Sequence, residues 1–396
     1  MVPEISRPRA WKTLVLACFV ISFAVAVLWP REASSHRPVT TILRFNQDIA
    51  PILNARCAQC HAPDGMAVPM QTWDETRPWA IAIKEEILAR HMPPWPAVRG
   101  YGAFANDGAL TPRELEFLIT WIDGGVPIGD GEPAPYVDHR VHWMLGNPTH
   151  VATRDSAWAP VKGADGSTRL VLDPKFASDT WIRGFDFKTD DPMLRAAFFT
   201  VMGTGQYIGG WTPWSTSMQL PEGVGIKVPA RSRIAVDLLH GPAAPKPDAR
   251  AELGLYAPEG PVRAASDIVL KPDVARVRES TGRVWTEYTL PAARSLLGVR
   301  VQMSAGGRSI ELRARRPDGW TEPLLWIRDF SQDWQAPYVF RRPVALPAGS
   351  VIQAATYFDS SDAAQRLTVT ISAEEGSSEQ AGRQAGGQAA GRVDAK

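Results

Sequence analysis

The chain has 396 residues, 44% hydrophobic and 21% charged, a composition of folded globular proteins rather than disordered ones. Its 43 Lys and Arg against 42 Asp and Glu leave a formal net charge of +1, too little basic excess for a nucleic-acid binder. Three cysteines, Cys18, Cys57 and Cys60, exclude a disulfide-stapled scaffold, and a single long apolar run excludes a multi-span membrane protein.

That run, Thr13 to Trp29 (TLVLACFVISFAVAVLW), is uncharged and about the minimum length for a spanning helix. Arg7, Arg9 and Lys12 precede it, so the positive-inside rule keeps the N-terminus in the cytoplasm and exports the rest. Its length favours an uncleaved signal anchor over residues 1–30. The expectation is a single-pass protein of the bacterial inner membrane with its C-terminal domains in the periplasm. Cleavage at Ala24-Val25-Ala26, releasing a periplasmic protein, is the second choice. Residues 31–40 are polar and read as a linker.

From Thr41 the pattern turns helical. Phe45, Ile49, Ile52 and Leu53 share one face, and Trp79 to Leu88 is helical by period, with Pro93-Pro94 beyond it. Thr111-Pro112-Arg113-Glu114 reads as a cap with proline at the first helical position, and Gly124-Gly125 stops the helix that follows. These signals predict an all-α domain over residues 41–132. After Gly131 the style changes. Arg169–Leu172, Ile226–Val228, Arg233–Leu239, Ile268–Leu270, Arg283–Leu290, Ser309–Leu312 and Arg366–Ile371 are short, β-branched or alternating runs separated by turn residues. The 15 tryptophans fit aromatic-packed β domains. The expected fold class is multidomain: one N-terminal membrane helix, the all-α domain, then an all-β antiparallel region in two sandwiches, at 150–258 and 259–373. Residues 374–396, built from Gly, Ala, Gln, Ser and charges, read as a disordered tail.

Cys57-Ala58-Gln59-Cys60-His61 carries the chemistry. C-x-x-C-H is a haem attachment pattern: two thiols one turn apart add to the two vinyl groups, and the adjacent imidazole faces the iron. Haem c, covalently held by Cys57 and Cys60 with His61 as proximal iron ligand, is therefore the expected cofactor. A thioredoxin-like dithiol would need a βαβ context, and a zinc site a second ligand pair. The distal ligand is sought among Met66, Met70, His91 and Met92. Met66 and Met70 follow His61 too closely to cross to the other haem face. Met92 lies in Arg90-His91-Met92-Pro93-Pro94-Trp95, a loop stiffened by two prolines, and is preferred; His91 is its rival.

The runs FNQDIAPILNARCAQCHAPDGMAVPM, RPWAIAIKEEILARHMPPW and YGAFANDGALTPRELEFLITWIDGGVPIGD resemble a group of class I cytochrome c domains fused ahead of copper type II, ascorbate-dependent monooxygenase-like modules of the peptidylglycine-hydroxylating kind. The resemblance implies that the methionine of the MPPW stretch, here Met92, is the distal ligand. It extends more weakly to about residue 360, through Trp181 to Phe187, Leu253 to Tyr256, Leu324 to Phe330 and Tyr357 to Ser360. Laid over that pattern, the copper-binding histidines fall at Ala196-Ala197, at Leu239 and Gly241 flanking His240, and at Gln302-Met303-Ser304. Copper is therefore not expected. His139 and His142, read as extended and on opposite faces, lack a third ligand and make a poor metal site.

The functional expectation is a membrane-anchored periplasmic mono-haem c-type cytochrome carrying single electrons to redox protein partners, with a copper-free monooxygenase-like β module for docking or scaffolding. The monooxygenase-like part is not expected to act as an enzyme. The alternatives are a haem-fed copper monooxygenase and a haem-based sensor.

Overall fold

A computed structural model describes residues 40–163, 166–241, 245–246, 248–272, 283–304, 306–359 and 367–375. Three short helical stretches come first. A π-type turn over Phe45–Ile49 runs into α1 (Ala50–Arg56), with a proline in its first turn, where the missing N–H leaves no bond unmade. The second stretch is α2 (Trp73–Thr76), a 3₁₀ turn over Arg77–Trp79, and α3 (Ala80–Leu88). The third is α4 (Pro112–Asp123). Thr72 with Glu75 and Thr111 with Glu114 form complete capping boxes that start α2 and α4. Phe45, Ile49, Leu53, Ile87, Leu118, Trp121 and Ile122 are the buried side of these helices.

Most of the chain is β. A nine-stranded sheet holds, in spatial order, the strands Tyr207–Trp211, Leu194–Val201, Ile234–His240, Thr168–Asp173, His150–Arg154, Ala251–Tyr256, Gly184–Thr189 and Ser217–Gln219, with Val161–Lys162 added beside Thr168–Asp173. A six-stranded sheet runs Pro337–Leu346, Arg294–Gln302, Thr368–Glu375, Arg263–Leu270, Val224–Val228, Thr180–Ile182. Four strands, Arg283–Thr289, Val351–Phe358, Gly307–Arg315 and Thr321–Ile327, make the third sheet. The six-stranded sheet serves two cores. Val224, Ile226 and Val228 face the core with Phe185, Phe187, Phe199 and Trp211, whereas Ile268, Leu270, Val299 and Ile371 face the core with Ile310, Leu312 and Leu324. The seam between the two halves is a parallel pairing, Arg263 opposite Val224 and Ala264 opposite Gly225.

The segment between α3 and α4 joins the helical stretches to the β region. Trp95 and Phe104 are 7% and 4% exposed and belong to the core of the sandwich formed by the four-stranded sheet. The Trp95 ring lies 5.2 Å from Tyr338 and 5.9 Å from Phe104, and Phe104 stacks 5.6 Å from Phe340. The Val98 N–H donates to the Trp326 carbonyl (2.7 Å), and the Ala105 N–H to that of Val339 (2.8 Å). Asn106 closes the contact, its amide donating to the Pro337 carbonyl (2.7 Å) and accepting from the Val339 N–H (3.0 Å).

This architecture corrects the expected fold class. The protein is mostly β, with 40% strand and 15% helix, and among the described residues no all-α domain stands before the sandwiches. The helical periods are real locally, but the helices span only four to twelve residues. The loop between them spends its large side chains in a β core rather than a helical one. The resemblance to a class I cytochrome c domain ahead of a monooxygenase-like module is corrected on the same ground, because no cytochrome c helical domain is seen among the described residues. The single-pass membrane placement is corrected as well: among the described residues no helix is long and apolar enough to cross a membrane. The run Thr13 to Trp29 on which it rested lies outside the described residues, as do the linker 31–39, Cys18 and the tail beyond Glu375.

Two predictions follow from the packing. Trp95→Ala removes a large ring from the β core and is expected to lower unfolding free energy in urea by about 3–5 kcal/mol; a loss well under 1 kcal/mol would place the ring outside that core. Asp267 ties the halves together, accepting from the Tyr207 N–H (2.6 Å) and the Ser372 hydroxyl (3.1 Å). Burial pushes its carboxyl up to about 6, against hydrogen bonds that pull the other way. Because the folded value lies above the ordinary carboxylate value, the folded state holds the extra proton, and stability falls as pH rises through that window. Asp267→Asn is expected to gain about 2 kcal/mol at pH 7 and nothing near pH 4. A gain independent of pH would show that the carboxyl titrates normally.

Candidate haem-attachment site

The motif begins where α1 ends. Cys57 is the C-cap of α1, and its N–H donates to the Leu53 carbonyl (2.8 Å). The N–H groups of Cys60 and His61 both donate to the Cys57 carbonyl (3.0 Å each), which folds the motif into one tight turn. Gln59 turns back and its amide donates to the Ala55 carbonyl (2.7 Å), covering a carbonyl the helix end leaves open. The next residues fold over the motif: Ala67 N–H donates to the Cys60 carbonyl (3.2 Å) and Met70 N–H to that of His61 (2.9 Å).

His61 is fixed by this return. Its Nδ1 lies 2.7 Å from the Val68 carbonyl, so that nitrogen carries the proton and Nε2 keeps its lone pair. Burial pulls the imidazole below its ordinary value, outweighing the Val68 bond, and favours the neutral form a metal ligand requires. Cys57 and Cys60 are free thiols. Burial pushes Cys57 up to about 12, with Cys60 beside it adding and Arg56 opposing. Burial likewise pushes Cys60 up to about 11, against the guanidinium groups of Arg140 and Arg195. A catalytic dithiol works through a lowered thiol value, so these two thiols are poor redox nucleophiles.

A strap from Asp130 to Arg140 closes the site from the other side. The side-chain amides of Asn46 and Gln47 donate to the Gly131 and Asp130 carbonyls, and that of Asn54 to the Ala134 carbonyl (2.7 Å). This pins the strap along the helical stretch that carries the motif. Arg140 is 8% exposed and held by a two-pronged contact to Asp138 (2.9 Å from both Nε and Nη2). Arg195, from the strand Leu194–Val201, reaches the same place with its guanidinium 4.4 Å from the centre of the Trp334 ring. Sequence reading passed over Tyr136, Arg140 and Arg195. The available signal was the density of aromatic and charged residues in YVDHRVHW, unusual for a spacer.

The other expected ligands are more scattered. Met92 follows α3 and is 37% exposed. The His91 Nδ1 lies 3.1 Å from the Glu86 carboxylate on the exposed side of that helix, and Met70 is buried beside the motif. His139 opens a 3₁₀ turn (His139–Val141), not the extended run expected, and both it and His142 are exposed. Among the described residues no group of three or more His, Cys, Asp or Glu side chains could hold a metal ion, which corrects the expectation of a protein-built metal-binding group. At the positions laid over the copper pattern, Ala196 and Leu239 pair across adjacent strands and pack with Phe198 and Tyr207. His240 lies past a bulge, its Nε2 3.3 Å from Asp191. Met303 is core.

No protein-family model matches the chain, and no curated protein matches it in sequence. Solved structures give distant likenesses. The major capsid protein P2 from bacteriophage PM2 is 10% identical with a TM-score of 0.28, covering 57% of this chain and 96% of that one. A two-domain protein of unknown function from Bacteroides fragilis is 12% identical with a TM-score of 0.19, covering 52% and 83%. PNGF-II is 9% identical with a TM-score of 0.25, covering 56% and 61%. At these scores they carry no argument about this chain.

The donor set fits a haem. Two free thiols sit on one turn, a neutral imidazole offers Nε2, and buried polar atoms beside them lack partners: Arg140 Nη1, Arg195 Nε and the Tyr136 hydroxyl. Gly65 shows how closely the loop is folded, since a Cβ there would sit 2.3 Å from the Cys60 carbonyl oxygen. Gly65→Ala is expected to cost about 1–3 kcal/mol in urea unfolding by forcing the loop off the motif. Wild-type stability in that variant would show the loop free to move.

Proposed function

We propose that the chain binds haem covalently through Cys57 and Cys60 and carries single electrons to protein redox partners, with the β-sandwiches as the scaffold that presents the site. The observation that carries this reading is the fixed imidazole: His61 Nδ1 is committed to the Val68 carbonyl, so Nε2 is the nitrogen left for iron. When bound, haem would supply a reversible one-electron couple, with Cys57, Cys60 and His61 as the residues that would hold it. The turn at Cys57 sets both thiols and the imidazole from one backbone carbonyl. The loop over residues 61–70 folds back on the motif through its backbone bonds, and partial burial favours neutral His61. Met92 is the proposed second axial ligand. Its half-exposed thioether sits at the head of a loop whose other end, Trp95, is locked in the β core.

Two measurements test the reading. The denatured protein is expected to keep haem on a gel by peroxidase stain, and Cys57→Ala or Cys60→Ala to weaken or abolish that retention. Haem extracted fully by acid-acetone from the wild type overturns it. For the distal side, the ferric absorption band of thioether-to-iron ligation is expected to vanish in Met92→Ala and survive in Met66→Ala, Met70→Ala and His91→Ala. Loss in Met70→Ala instead would move the ligand to the loop that covers the motif.

A further inference from the structure

We propose that Arg140, Tyr136 and Arg195 form the seat for the carboxylate groups of the tetrapyrrole, a role that rests on the haem reading above and goes beyond it by assigning the residues that orient and tune the group. The motif accounts for the vinyl side and the iron. It leaves the anionic edge of the molecule without a partner, and each of the three residues has one buried polar atom without a partner.

The strap brings two of them in. The amides of Asn46, Gln47 and Asn54 hold its backbone from Asp130 to Ala134 along the helical stretch that ends in Cys57. Tyr136 and Arg140 follow immediately and lie within electrostatic reach of Cys60 and of each other. Arg140 is 8% exposed, and Asp138 occupies its Nε and Nη2 edge. Its Nη1 is buried and makes no hydrogen bond. The Tyr136 hydroxyl and Arg195 Nε are likewise buried and unpartnered. Arg195 comes from the β region, where the Trp334 ring supports its guanidinium at 4.4 Å and Asp333 lies 3.7 Å from Nη1.

Buried donors without acceptors are rare in folded proteins and call for a specific cause. Guanidinium groups offer only N–H donors, so what completes the site must be an acceptor. Two guanidinium groups at a water-poor place select an anion over a neutral carbonyl, because a charge-assisted bond is the stronger one. Asp138 does not remove the demand, since it takes one edge of Arg140 and leaves the other. All three are positioning residues. Their cations and hydrogen bonds raise the midpoint potential by opposing the extra positive charge of the oxidised iron.

The test uses the full haem-bearing chain. The midpoint potential is measured at fixed pH for wild type, Tyr136→Phe, Arg140→Gln, Arg140→Lys and Arg195→Gln, and haem retention is read on a denaturing gel for each. Potentials are expected to shift downward in Tyr136→Phe and both glutamine variants, with Arg140→Lys between Arg140→Gln and wild type. The carboxylate-bending vibrations of the haem, read by resonance Raman, are expected to shift in Tyr136→Phe, a variant that leaves the Asp138 contact intact. Haem-bearing variants with wild-type potentials overturn the seat while leaving the haem reading in place. Shifted potentials with unchanged carboxylate vibrations also overturn it, since the arginines would then act only as distant charges. A wild-type chain without covalent haem overturns the haem reading, and the seat falls with it.

Discussion

The burial of Trp95 and Phe104 among Tyr338 and Phe340 is the contact on which the arrangement of the whole chain depends. An aromatic side chain removes roughly 150–250 Å² from water, worth about 4–6 kcal/mol at the usual area coefficient before entropy is charged. Two such rings outweigh anything the short helices between Phe45 and Asp123 contribute by propensity alone, since helices of this length are marginal without tertiary support. The backbone bonds of Val98 and Ala105 then align the connecting segment with the sandwich. The helical stretches are thereby an attachment of a β protein.

Burial also decides the chemistry at the motif. The same withdrawal from water raises both thiols and lowers the imidazole, so none of the three is charged near neutral pH. A dithiol oxidant needs the opposite environment. A neutral imidazole with one nitrogen tied to a carbonyl is a ligand in waiting, and neutral free thiols are compatible with attachment to a prosthetic group. The polar groups buried alongside follow a different logic. Arg140 is held by Asp138 on one edge and open on the other. A guanidinium so placed is stable only because its paired edge offsets part of the desolvation.

The β region owes its shape to one shared sheet. Because the parallel seam at Arg263 and Val224 continues a single hydrogen-bonded surface across two cores, the halves cannot separate without breaking a ladder. Asp267 reinforces that seam by bonding a backbone amide on one side and a hydroxyl on the other. Arg195 extends from the same region to the motif, so the β framework supplies part of the site as well as its support.

The sequence by itself determined the local events. Short β-branched runs bounded by turn residues marked the strands at Thr168–Asp173, Val224–Val228 and Ile234–His240, because those residue types favour extended backbone locally. Thr111 with Glu114 announced the start of α4, since a capping box is satisfied within four residues. C-x-x-C-H put two thiols and an imidazole on one turn for the same local reason. What only the tertiary structure decided is where those pieces go. A helical period says that a face is buried but not against what, so Trp95 and Phe104 read as part of a helical domain and sit in a β core. Tyr136 and Arg140 lie some 75 to 80 residues from Cys60, and Arg195 farther still. Side chains so distant meet only through the strap's hydrogen bonds and the register of a strand, which no spacing along the chain encodes.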